Sequence, residues 1–162
     1  MLSDRINEAL NSQLNKEFYS AYLYMSISAV AEECGLFGFA KWLRKQSQEE
    51  IEHGEKIFDF LIDRKGSVTL EAISKPEFCY NNPLELFKFI YEHEKSITKS
   101  IMELAQQAED ECDRMTTMFL DWYINEQVEE ESSVLKIIKQ LNQFGENGGA
   151  LYLIDNEAGK RE

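Results

Sequence analysis

Apolar positions recur at steps of three and four through four long stretches of the chain, the spacing of helices that each bury one face. The first stretch predicts a helix from about Asp4 to Cys34, with Ser3 as N-cap and Gly35 as its stop. Leu36-Phe37-Gly38 turns the chain, and a second helix runs to about Lys65 and stops at Gly66. Asn82-Pro83-Leu84-Glu85 starts a third: Asn as cap, Pro at the first helical position, Glu reaching back. It continues to about Ala108, and Glu109 to Asp113 forms a polar break. A fourth helix follows to about Phe144 and ends at Gly145. The run Glu146-Asn147-Gly148-Gly149 is a second break, before a short apolar helix at about 149–157. The last few residues are expected to fray.

Short links make the first and second helices, and the third and fourth, antiparallel pairs. The segment from Gly66 to Asn82 is too long for an ordinary turn and long enough to cross a helix length when extended. The pattern therefore predicts an all-α, four-helix bundle with one long crossover, over about 4–144, within a single domain spanning 1–162. Val68, Leu70 and Ile73 are the expected anchors of the crossover on the bundle surface.

Every apolar stripe is broken well inside its helix. The first reads Ile6, Leu10, Leu14, then Glu17, then Ala21 and Tyr24. The second reads Phe39, Leu43, then Gln46, Glu50 and His53, then Ile57 and Phe60. The third reads Phe87, Ile90, then Glu94, then Ile97, Ile101 and Leu104. The fourth reads Leu120, Tyr123, then Gln127 and Glu130, then Val134, Ile137 and Leu141. One such Glu is commonly salt-bridged or tilted to solvent. Four matched interruptions would bury several unpaired carboxylates, at several kcal/mol each. Lys16, Lys41 and Lys95 sit off these stripes, so a pair of divalent cations is the simplest neutraliser. Glu50 and His53, three apart, face one ion together. Carboxylates with one imidazole and no thiolate disfavour structural zinc and suit iron or manganese.

Composition narrows the reading. Seventeen basic against 30 acidic side chains give a net charge of −13, which argues against nucleic acid and anionic membranes as partners. With 43% hydrophobic residues, the 162-residue chain can bury a real core. No apolar run approaches the roughly 20 residues of a membrane span, and the start lacks a signal-peptide pattern. Three scattered cysteines, Cys34, Cys79 and Cys112, read as free packing thiols in a reducing cytoplasm.

The chain resembles the prokaryotic non-haem ferritins over nearly its whole length. The resemblance rests on Glu17 in LNKEFYSAYLY, on Glu50 to His53 in SQEEIEHGEK, on Glu94 in YEHEKSIT, and on Gln127 and Glu130 in INEQVEEE. It implies a ferritin-like bundle with a ferroxidase centre. One iron would be held by Glu17, Glu50 and His53, the other by Glu50, Glu94 and Glu130, with Gln127 as a hydrogen-bonding support. Glu49, Glu126 and Glu129, together with Glu130, resemble the additional iron site of bacterial ferritins; by spacing alone they read as a solvated helix face. Fe(II) would be oxidised by dioxygen or hydrogen peroxide and stored as ferric oxyhydroxide. The resemblance also implies a homo-oligomeric shell of twenty-four subunits, with the short fifth helix at its four-fold axes. Glu52 and Glu55 would line the inner surface.

Several residues have two readings. Tyr24 is either a core tyrosine bonded to a carboxylate such as Glu94 or a redox-assisting group beside the iron pair. Trp122 reads as packing before electron donation. His93 reads as a surface histidine, and the many phenylalanines as core and subunit contacts. Among rivals, a haem-binding bacterioferritin lacks support: the second motif reads Gln127-Val128-Glu129-Glu130, and Glu52 stands where the haem methionine falls. Without a C-x-x-C pair a rubrerythrin-like peroxidase is disfavoured, and with one candidate ligand histidine so is a ribonucleotide-reductase-like enzyme. A non-catalytic helical scaffold would leave the four interruptions unexplained.

Overall fold

A computed structural model describes residues 2–145 and 148–161. Glu146 and Asn147, placed in the second break, lie outside the described residues. Five helices form: α1 (Asp4–Glu33), α2 (Phe37–Asp63), α3 (Pro83–Asp110), α4 (Arg114–Phe144) and α5 (Gly148–Ala158). The bundle with its long crossover and short fifth helix is the predicted architecture. Gly148 and Gly149 belong to α5 instead of the break before it.

Local chemistry sets the ends. Ser3 Oγ accepts the Ile6 N–H, and Asn82 Oδ1 accepts that of Glu85, so both predicted caps form. Glu85 does not reach back; its carboxylate pairs with Lys88 at 2.8 Å. At the end of α2, Lys65 takes the left-handed conformation (φ 58°), one residue before Gly66. Gly66 also keeps a close contact: a Cβ there would lie 2.4 Å from Asn7 Oδ1, so the Asn7 side chain would have to shift. Arg64 Nη2 then donates to both carboxylate oxygens of Asp113, the N-cap of α4, at 3.0 and 3.1 Å, and ties the end of α2 to the start of α4.

The crossover is held by amides more than by apolar anchors. Asn7, Asn11 and Asn15 accept the N–H groups of Ser67, Thr69 and Glu71 at 2.9, 2.6 and 2.8 Å. Asn11 and Asn15 also donate to the carbonyls of Ser67 and Thr69. The registers agree because four helical residues rise about 6 Å and two extended residues about 6.7 Å. Val68 packs on the core, but Leu70 and Ile73 are 62% and 46% exposed, so the expected apolar pinning fails at two of three positions. Replacing Asn11 by alanine removes both bonds to the crossover and should cost about 1–3 kcal/mol. A lower melting temperature and faster proteolytic cutting near Thr69 would report it; an unchanged cutting rate would refute the asparagine ladder.

α5 is latched to the bundle by a buried carboxylate. Asp155 accepts the N–H groups of Gly38 and Phe39, at 3.0 and 2.8 Å, and so caps the N-terminus of α2 from the far end of the chain. Gly38 permits the contact, since a Cβ there would fall 1.8 Å from the Asp155 carbonyl oxygen. Tyr152 and Leu153 remain two-thirds exposed on the outer face of α5.

Two apolar clusters fill the bundle interior. One gathers Ile27, Phe39, Leu43, Phe87, Ile90, Val134 and Leu141; the other gathers Ile6, Leu10, Leu14, Ile57, Leu61, Ile101, Leu104 and Leu120. Between them lies a polar belt. Phe39 and Phe87 are core, as expected of the aromatics, whereas Phe37, Phe58 and Phe89 are exposed. All three cysteines are free but exposed, which corrects the packing role expected for them. Two of them fall where α1 and α3 end and the third on the crossover, where little covers a side chain.

Candidate metal centre

The polar belt is built from one turn of each long helix. Glu17 comes from α1, Glu50 and His53 from α2, Glu94 from α3, and Gln127 and Glu130 from α4. None is more than 5% exposed, and Gln46 beside them is fully buried. The apolar clusters above and below shut out water, so the charge of these groups must be met by protons, hydrogen bonds or cations.

Donor atoms of Glu17, Glu50 and His53 lie within 4.8 Å of one another, as do those of His53, Glu126 and Glu130. His53 therefore stands between two groups able to hold an ion. His53 Nδ1 is 3.5 Å from Glu50 Oε2, and its own backbone carbonyl accepts Tyr123 Oη–H at 2.7 Å. Trp122 packs edge-on to the His53 ring, with the ring centres 5.4 Å apart.

Neutral donors support the carboxylates. Gln13 donates to Glu17 at 2.7 Å. Tyr24 Oη–H donates to Glu94 Oε1, and Gln127 donates to Glu94 Oε2 at 3.1 Å. Gln46 donates to Glu130, and more weakly to Glu50 at 3.4 Å. The Tyr24–Glu94 bond matches the plainer of the two readings of that tyrosine. Bonds from Tyr24 and Gln127 hold Glu94, and the second donor group takes Glu126 in place of Glu94 and Glu50.

Electrostatics follow from this crowding. Burial, reinforced by the Glu50 charge, pushes Glu17 well above the usual carboxylate range. Burial and the Glu94 and Glu130 charges do the same to Glu50. Glu94 is raised chiefly by burial, and Glu130 is pushed up to about 8 by burial and Glu94. Burial, with the Glu94 charge beside it, also raises the Tyr24 phenol. Without cations the belt keeps protons that ordinary carboxylates lose at neutral pH. It is a preformed seat for positive charge.

The remaining expected ligands are placed differently. Glu129 is exposed, and Glu49 is partly buried against Arg161 at 2.6 Å. The structure does not bring Glu49 and Glu129 into a donor group with Glu126. His93 is half-buried and not a freely exposed histidine: it bonds Ser20 at 2.8 Å, packs against Tyr19 and Tyr24, and is lowered to about 4 by burial. Adjacent helix positions do point apart, but α1 covers the face on which His93 lies. Sequence reasoning missed Gln46 as a functional donor, although it sits on the broken stripe. It also missed Arg161, for which no local pattern exists.

Glu52, Glu55, Asp59 and Asp63 of α2 line one depression together with Lys56 and Phe60 of the same helix and Phe119 of α4. No helix among the described residues is long and apolar enough to cross a membrane.

The family model for the ferritin-like domain matches residues 7–144. A bacterial non-heme ferritin of Staphylococcus aureus (strain USA300) is 37% identical over 161 residues, covering 99% of this chain and 97% of the relative. A probable bacterial non-heme ferritin-like protein of Haemophilus influenzae is 40% identical, covering 98% and 96%. Among solved structures, an open-pore ferritin of the hyperthermophilic archaeon Archaeoglobus fulgidus superimposes with a TM-score of 0.98 at 45% identity, covering all of both chains.

Proposed function

We propose, because this chain belongs to the ferritin family, that it stores iron by oxidising Fe(II) at the buried belt and depositing ferric oxyhydroxide inside a closed shell of its own copies. The observation that carries this reading is the buried set of Glu17, Glu50, His53, Glu94 and Glu130, whose carboxylates form no ion pair with a lysine or arginine among the described residues. Two Fe(II) ions are the substrate. One binds Glu17, Glu50 and His53; the other binds Glu50, Glu94 and Glu130, so Glu50 bridges them. Glu94 reaches its ion by giving up Tyr24 or Gln127 as a partner.

Each Fe(II) gives one electron to the oxidant, dioxygen or hydrogen peroxide. The protein fixes the pair, keeps bulk water out and supplies hydrogen bonds from Gln13, Gln46, Tyr24 and Gln127. A third ion would draw Glu49 and Glu129, which stand apart from Glu126 in the metal-free chain, into one site with Glu126 and Glu130. Ferric product moves to the cavity, where hydrolysis releases protons and the acidic face of Glu52, Glu55, Asp59 and Asp63 favours nucleation. The exposed Tyr152 and Leu153 of α5 meet other subunits of a twenty-four-copy shell in the cytoplasm. Haem plays no part.

The test is direct. Fe(II) added to metal-free protein in air should give a ferric absorbance rise much faster than in buffer, and the iron should co-elute with a high-mass assembly. Oxidation no faster than in buffer would refute the ferroxidase reading.

A further inference from the structure

Arg161 lies just beyond α5, yet its side chain ends on α2. Its Nη2 donates to Glu49 Oε2 at 2.6 Å and its Nη1 to Gln46 Oε1 at 2.7 Å. The guanidinium carbon sits 5.2 Å from the centre of the Trp42 ring. Trp42, Gln46 and Glu49 follow one another at helical spacing, so one face of α2 offers an aromatic plate, an amide oxygen and a carboxylate to a single guanidinium. The backbone is held too, since the Arg161 N–H bonds the Ala158 carbonyl at 3.3 Å.

The contact reaches the iron-binding belt through one residue. With its oxygen taken by Arg161, the Gln46 amide turns its NH2 inward, to Glu130 and Glu50. The same guanidinium holds Glu49, which the third ion site requires.

We propose that Arg161 is a positioning residue, a tethered cation that occupies Glu49 in the metal-free protein and competes with a third metal ion for it. The proposal rests on the third site named under the proposed function. An ion entering that site needs the Glu49 oxygen that Arg161 now holds, so the guanidinium must leave as the ion arrives. The third ion then binds more weakly than its carboxylates alone would allow, which keeps it exchangeable beside a tighter pair.

Zinc, which has no redox chemistry here, tests this in the metal-free protein by titration calorimetry. Arg161→Ala should bind the third zinc about fivefold tighter than the parent, the worth of a partly exposed ion pair. In a Trp122→Phe background, Trp42 is the sole tryptophan, and its emission should change with the third zinc and not with the first two. Adding Glu49→Gln should abolish the gain from Arg161→Ala. Equal or weaker third-zinc binding in Arg161→Ala would overturn the competition while leaving the third site standing. A gain that survives Glu49→Gln would overturn it as well. Two zinc ions and never a third, in parent and variant alike, would remove the third site itself and the competition with it.

Discussion

Replacing Glu50 by alanine is expected to slow the fast phase of iron oxidation by about 100-fold or more, a larger effect than removing any supporting hydrogen bond. Glu50 is the one carboxylate assigned to both ions. It lies in the donor group with Glu17 and His53, and the Glu94 and Glu130 charges act on it from the other side. Without it each ion loses a ligand, and the two lose their common one. The fold should survive, because the substitution removes a buried group that is costly to ionise in the metal-free protein. An equal or higher melting temperature of the metal-free variant would show that lost oxidation is not lost structure. A variant that oxidised iron at the parent rate would sink the bridging role.

Stability of the metal-free protein should fall as pH rises from about 4.5 to about 8, by on the order of a few kcal/mol, and added divalent ion should reverse that slope. The sign follows from Glu130. Its folded pKa, about 8, stands above the unfolded value of 4.5, so the folded state holds a proton the unfolded state releases. That contribution is complete below 4.5 and is lost as pH climbs through about 8. Glu17, Glu50 and Glu94 are raised too and add in the same direction. Asp113 works oppositely: burial opposes its charge, but bonds from Thr116 and Arg64 hold it below its usual value. Its contribution is lost only in acid, below this window. A bound ion requires the carboxylates deprotonated, so its affinity, and the stability it confers, grow with pH. Melting curves across this range, with and without zinc, decide the matter. A flat or rising metal-free profile would mean that the belt carries no shared proton load.

The stripe of each helix was legible because it depends on little beyond the chain's own 100° step. Six side chains assigned to the broken stripes, Glu17, Glu50, His53, Glu94, Gln127 and Glu130, are all buried at one level of the bundle. The crossover and the caps at Ser3 and Asn82 follow from residues close in sequence. Depth and partner choice did not follow so readily. His93 looked exposed by its angle on α3, and only the packing of α1 over it, with Ser20 in reach, made it a half-buried neutral base. The cysteines looked like small core residues by type, and only their positions at helix ends and on the crossover left them in solvent.

By itself, then, the sequence determined where the helices run, which face of each turns inward, and that four inward faces carry polar groups in place of carbon at mid-length. Tertiary structure decided which atoms meet. The pairing of Asn7, Asn11 and Asn15 with the crossover, the capping of α2 by Asp155, and the seat of Arg161 on Glu49 and Gln46 all join residues distant in the chain. Periodicity sets an angle around one helix axis and is blind to the register between two helices. That register is set by how the two apolar clusters interlock, and it alone brings a guanidinium from beyond α5 to the edge of a carboxylate belt on α2.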